Sequence, residues 1–137
     1  MITEVQRLTL HDSLDAAIAR ATVRKLAASF GYSLIDQGRI AAMISEIAHD
    51  LVTYAGQGEI VISWQEDNGP KGLAFFCHDQ GLAAAELTTV LQTGGAKTQD
   101  KLNLLGLRKL ADEFKVTIDP KYGNCVSAII WQERTRQ

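Results

Sequence analysis

Residues 59–79, EIVISWQEDNGPKGLAFFCHD, constrain the fold more than any other stretch. EIVISW and GLAFFCHD are rich in β-branched and aromatic residues, and the turn-prone EDNGPKG lies between them, so they read as an antiparallel hairpin. A lone hairpin is marginal in water and must be covered on its apolar face. The cover is predicted just upstream, where Asp36 opens a helix that runs to about Ala55 and GQG at 56–58 breaks it. Ile40, Met43, Ile44, Ile47, Leu51 and Tyr54 fall on one side of that helix, in position to bury against the sheet.

The rest of the chain supplies partners for this unit. Residues 2–10 have strand character, and Asp12 or Ser13 can cap a helix that continues to about Phe30, with Gly31 as a left-handed stop. Leu14, Ala17, Ile18, Ala21, Leu26 and Phe30 recur at helical spacing and are expected to form its core face. AAAELTTVL then reads as a short helix, LQTGGAKTQDK as a polar loop and about Leu104 to Glu113 as a further helix, before FKVTIDP, KYGN and CVSAIIW close a second hairpin. The predicted order is β-α-α-β-β-α-α-β-β, with no repeat and no linker. The fold class expected is an α/β two-layer sandwich, with a mixed, largely antiparallel sheet and helices on one face.

A chain of 137 residues fits one domain, spanning 1–137, and 46% hydrophobic with 22% charged residues is a globular balance. A net charge of −2 provides no field to gather nucleic acid or anionic lipid. Lys97, Lys101, Arg108, Lys109, Lys115 and Lys121 do concentrate late in the chain, but Asp100, Asp112, Glu113 and Asp119 are interleaved with them. Cys77 and Cys125 lack CxxC spacing and read as buried thiols. There is neither a basic leader with an apolar run nor a stretch long enough to span a bilayer, so a cytoplasmic protein is expected.

Three groups of residues can carry chemistry. Glu46, His49, Asp50 and Thr53 recur at i, i+3, i+4 and i+7 on the second helix, which makes either a solvated face or a site where a general base stands beside a divalent-metal ligand. Asp79 and Gly81, in HDQG after the apolar strand, are either an ordinary turn or a place where a carboxylate accepts a hydrogen bond from the amine of adenine. Gly94, Gly95 and Gly106 with Lys97 and Lys101 can frame phosphates. His49 and His78 lack the ligand spacing of a zinc site, no nucleophile triad is visible, and neither a P-loop nor a dinucleotide-binding glycine turn occurs.

Taken together, ISEIAHDLVTYAGQGEIVI, HDQG and GLRKLADEF resemble the GHKL ATPase superfamily and, more narrowly, its RsbT-type serine/threonine switch kinases, across essentially the whole chain. The resemblance implies the Bergerat α/β sandwich, an ATP and Mg site between the sheet and a lid, a STAS-domain partner that receives phosphate on serine or threonine, and a downstream regulatory effector. It implies that Glu46 is the general base, that Asp50 stands at the usual Mg-holding asparagine, that Asp79 reads adenine, and that Gly81 opens the glycine turn while Gly106 remains from the lid.

The chain departs from that pattern at several points. Ala83 replaces the second glycine of the turn, TQDKLNLLGL replaces a GLGxGL-like lid, and Asn124 follows Gly123 where a threonine is common. Side chains at Lys101, Leu102 and Asn103 keep the backbone away from phosphate oxygens. Two functional readings therefore stand: an ATP-dependent protein serine/threonine kinase, and a binding module of the same fold that works by sequestering proteins.

Overall fold

The computed structural model describes residues 1–66, 68–78, 110–119 and 123–132. Strand β1 (Ile2–Leu10) leads into helices α1 (Ser13–Ser29) and α2 (Leu34–Asp50), and a π-helical turn (Leu51–Ala55) extends α2. Strands β2 (Gly58–Glu66), β3 (Lys71–His78), β4 (Glu113–Asp119) and β5 (Gly123–Trp131) complete a five-stranded sheet of order β1-β2-β3-β5-β4. Every pairing in it is antiparallel. The expected AAAELTTVL helix and the glycine-containing loop lie outside the described residues.

Local chemistry sets the helix ends. Asp12 accepts a hydrogen bond from the Asp15 amide and Asp15 accepts one from the His11 amide, so two acids close the start of α1. At its other end Gly31 takes φ +88, with the Gly31 amide bonded to the Ala28 carbonyl and the Tyr32 amide to the Ala27 carbonyl. This is a Schellman turn, which needs a residue without a Cβ at that place. Ser33 then caps α2 by accepting from the Asp36 amide, so α2 begins two residues before the Asp36 expected to open it.

One sheet face carries the core. Leu10, Ile60, Ile62, Leu73, Phe75, Cys77, Val126, Ala128 and Ile130 are buried together with Ile40, Met43, Ile44, Ile47 and Leu51, so the expected face of α2 is the face that packs, as far as its side chains are described. Tyr32 pins the sheet from the helix side: its hydroxyl donates to the Ile130 carbonyl at 2.6 Å and accepts from the Leu73 amide at 2.7 Å. The strands approach closely there, since a Cβ on Gly72 would lie 2.5 Å from the Ile130 carbonyl oxygen.

Two expectations are corrected. The side of α1 that packs is Ala19, Val23 and Ala27, and of the six residues expected there Leu26 and Phe30 do pack against the core, while Leu14, Ala17, Ile18 and Ala21 are exposed. A seam of small side chains every four residues lets α1 lie close to its neighbours, which Leu14 and Ile18 would hold off. The late helix does not reach Glu113. Helical backbone stops at Leu110 because the Asp112 amide bonds the Ile129 carbonyl and its carboxylate accepts from the Trp131 amide, which starts β4 at Glu113.

Candidate functional site

Strand register divides the sheet into two ends. Ile2, Gln65, Gly72 and Trp131 share one end, and Leu10, Gly58 and His78 share the other. Helix α2 starts after the turn that follows α1 and delivers its last residues to β2, so Glu46 to Asp50 belong to the second end, where β3 also finishes. A direct contact ties these together. A Cβ on Gly58 would meet Leu51 at 2.9 Å and the His78 carbonyl oxygen at 3.2 Å, so the residue after Asp50 lies against the glycine that neighbours the last residue of β3. Gly58 leaves that space open.

Asp50 is the unusual group at this rim. Its side chain is only 8% exposed, and its Oδ2 is buried without a hydrogen-bond partner among the described residues, while Oδ1 lies 3.6 Å from His49 Nδ1. Burial pushes the carboxyl up to about 6; His49 opposes the shift and the nearby Glu46 charge adds to it. A buried carboxylate oxygen without a donor is costly unless a cation or proton reaches it. Glu46 is half-buried, and the side chain of His49, at 69%, faces outward. The four-residue stripe is therefore split, with Asp50 turned toward the core and Glu46, His49 and Thr53 on the open side. Directly after Asp50 the helix widens into the π turn, a departure common at functional positions, and Gly56 ends it at φ +79.

The end of β3 is held by polar contacts. His78 Nε2 lies 2.9 Å from Glu59 Oε1, and Arg7, itself paired with Glu4, reaches the same oxygen at 3.3 Å. The next residue is Asp79. Asp79, Gly81 and Gly106, with Gly94, Gly95, Lys97 and Lys101, lie outside the described residues. The described part of the site thus joins Glu46, Asp50 and the strand end that precedes HDQG. Among the described residues no group of three or more His, Cys, Asp or Glu is placed to hold a metal ion. Asp50 nevertheless fits magnesium, which commonly takes one or two carboxylates and draws its other ligands from water and phosphate.

A pocket of about 340 Å³ opens between α1 and α2, lined by Ser13, Ala17 and Arg20 on one side and Ser45, His49 and Thr53 on the other. Its only trace in the sequence is the run of small and hydroxylated residues at the helix faces that meet there. No helix among the described residues is long and apolar enough to cross a membrane.

No protein-family model matches the chain. Against curated proteins, it is 34% identical over 118 residues to the serine/threonine-protein kinase RsbT of Bacillus subtilis (strain 168), covering 85% of this chain and 89% of that protein. With that identity across most of both chains, and with an antiparallel sheet covered by two helices, this chain belongs to the family of RsbT-type serine/threonine kinases.

Proposed function

We propose that the protein is an ATP-dependent serine/threonine-protein kinase of the GHKL type, acting on a STAS-domain protein in a partner-switching stress circuit. The observation that carries this reading is Asp50, whose buried oxygen without a donor stands at the rim where α2 and β3 end together, beside Glu46. The likeness to RsbT supplies the reaction class.

In this reading Glu46 is half-exposed at the rim, where an entering serine or threonine hydroxyl can reach it, and its carboxylate takes the hydroxyl proton. Asp50 would hold the magnesium, which when bound would supply neutralisation of phosphate charge. The cation in turn offsets the cost of a buried carboxylate, which a neutral asparagine would not incur. Asp79 accepts from the adenine amine, Gly81 lets the base approach the backbone, and Gly106 contributes an amide near the phosphates. The contacts of Glu59 with His78 and Arg7 fix the strand end that precedes Asp79 in the sequence. A downstream effector is bound when the STAS protein leaves.

A second reading is favoured by Ala83 and by TQDKLNLLGL, which lack the bare backbone that surrounds phosphates in close contact. It keeps the fold and the partners and removes the catalysis. Incubation with Mg-ATP labelled at the γ-phosphate and a STAS-domain protein separates the two, with B. subtilis RsbT and its own substrate run in parallel. The kinase reading expects label on the STAS protein and a loss of about 10²–10⁴-fold in the Glu46→Gln variant. No transfer by the wild-type chain, with the parallel reaction succeeding, overturns it in favour of the binding module.

A further inference from the structure

The exposed side of α1 is apolar where a solvated helix is ordinarily polar. Leu14 is 67% and Ile18 50% exposed, and exposed Ala17 and Ala21 lie beside them. Arg20 and Arg24, one turn apart, border this ridge on the side where Arg20 lines the pocket against α2, and Lys25 stands in line with the ridge one turn beyond Ala21. Among the described residues none of these three cations makes an ion pair or a side-chain hydrogen bond. The acids of the helix, Asp12 and Asp15, are both occupied in closing its first turn. From Ala16 to Ser29 the helix carries three positive charges and no negative one, within a chain whose net charge is −2.

Next to the ridge, Arg20 also lines the pocket between α1 and α2, where Ser13, Ser45, His49 and Thr53 provide hydrogen-bonding groups on both walls. An exposed apolar ridge, cations along it without a partner among the described residues, and an adjoining recess with hydroxyl groups on both walls are together the complement of one kind of surface. We propose that this face docks an acidic amphipathic helix of a partner protein. The partner's apolar stripe would lie along Leu14, Ala17, Ile18 and Ala21. The small alanines permit the separation of about 8–10 Å at which helices pack. A carboxylate from the partner would enter the recess and pair with Arg20, and others would face Arg24 and Lys25.

The inference rests on the reading that the protein works through partner proteins, but it does not depend on phosphate transfer. Its test uses a synthetic amphipathic helix with a leucine stripe edged by glutamates, titrated into the isotopically labelled chain and followed by amide chemical shifts. Saturable shifts confined to α1 and the lining of the recess are expected. Affinity should fall as salt rises and weaken by about tenfold or more in Arg20→Glu and in Ile18→Asp. Both variants should keep the wild-type melting temperature. A peptide with its glutamates replaced by lysines should not bind.

Equal binding of both peptides, shifts centred elsewhere, or no shifts overturn the proposal. So does binding to anionic phospholipid vesicles in the absence of peptide binding, which would assign the face to a membrane surface. Peptide binding at α1 by a chain that transfers no phosphate would retire the kinase reading alone, and phosphate transfer without peptide binding would retire the docking face alone.

Discussion

Burial places the Asp50 carboxyl about where a histidine normally titrates, and this has a sign that can be measured. Its folded pKa, about 6, lies above its ordinary 3.8, so the folded chain holds the proton more tightly than the unfolded chain does. The contribution of this group to stability is greatest below about pH 4, declines as pH rises through 6, and is constant above that. Asp50→Asn removes the slope. In metal-free buffer the variant should match the wild type near pH 4 and exceed it at pH 7.5 by on the order of 1–3 kcal/mol, read from urea unfolding at the two pH values. Equal stability of the two proteins at both values would show that the carboxylate is solvated after all. The presence of an acid four residues after Glu46 is plain in the sequence, but its burial is not. Asp50 sits at the edge of the polar stripe, and only the packing of α2 decides on which side of that edge it falls.

Among the elements, the two helices were legible to different degrees for one reason. Helix α2 buries large side chains, so its apolar spacing points to the face that packs. Helix α1 fully buries only alanines and a valine; Leu26 and Phe30 pack at the edge of the core while Leu14 and Ile18 stay outside, so weighing residues by size misplaces the first half of the face. A hydrophobic pattern reports where apolar residues recur, and close packing of small residues reverses the usual inference from bulk. The hairpins were readable because turn residues bracket them, and β2 and β3 pair over the expected stretch. The closeness of β3 and β5 was not readable, because Gly72 looks like any glycine at a strand start. Gly72→Ala puts a methyl group 2.5 Å from the Ile130 carbonyl oxygen and 2.8 Å from Trp131 Cα, backbone atoms that cannot rotate aside. The strands must part, at a cost of about 1–3 kcal/mol, which a lowered midpoint in thermal or urea unfolding would record.

At the scale of the whole molecule, the order of the described elements agrees with the order expected, because each strand and helix carries its own local signals. Strand order does not follow from such signals, since β5 inserts between β3 and β4 through contacts made across long separations. The Tyr32 hydroxyl is one of these contacts. It joins residues 98 apart in sequence, and the chain must bring β5 against β3 before the bond can form. The helix pair α1 and α2 closes over a short turn, so it is the cheaper unit to assemble first. Tyr32→Phe removes both bonds of the hydroxyl from a buried site, a loss of about 1–3 kcal/mol. If the bond forms after the main barrier, stopped-flow kinetics should show nearly unchanged refolding and faster unfolding, and slower refolding would place the bond in the nucleus instead. That one oxygen then sets how long the folded protein lasts and has little to do with how fast it is made.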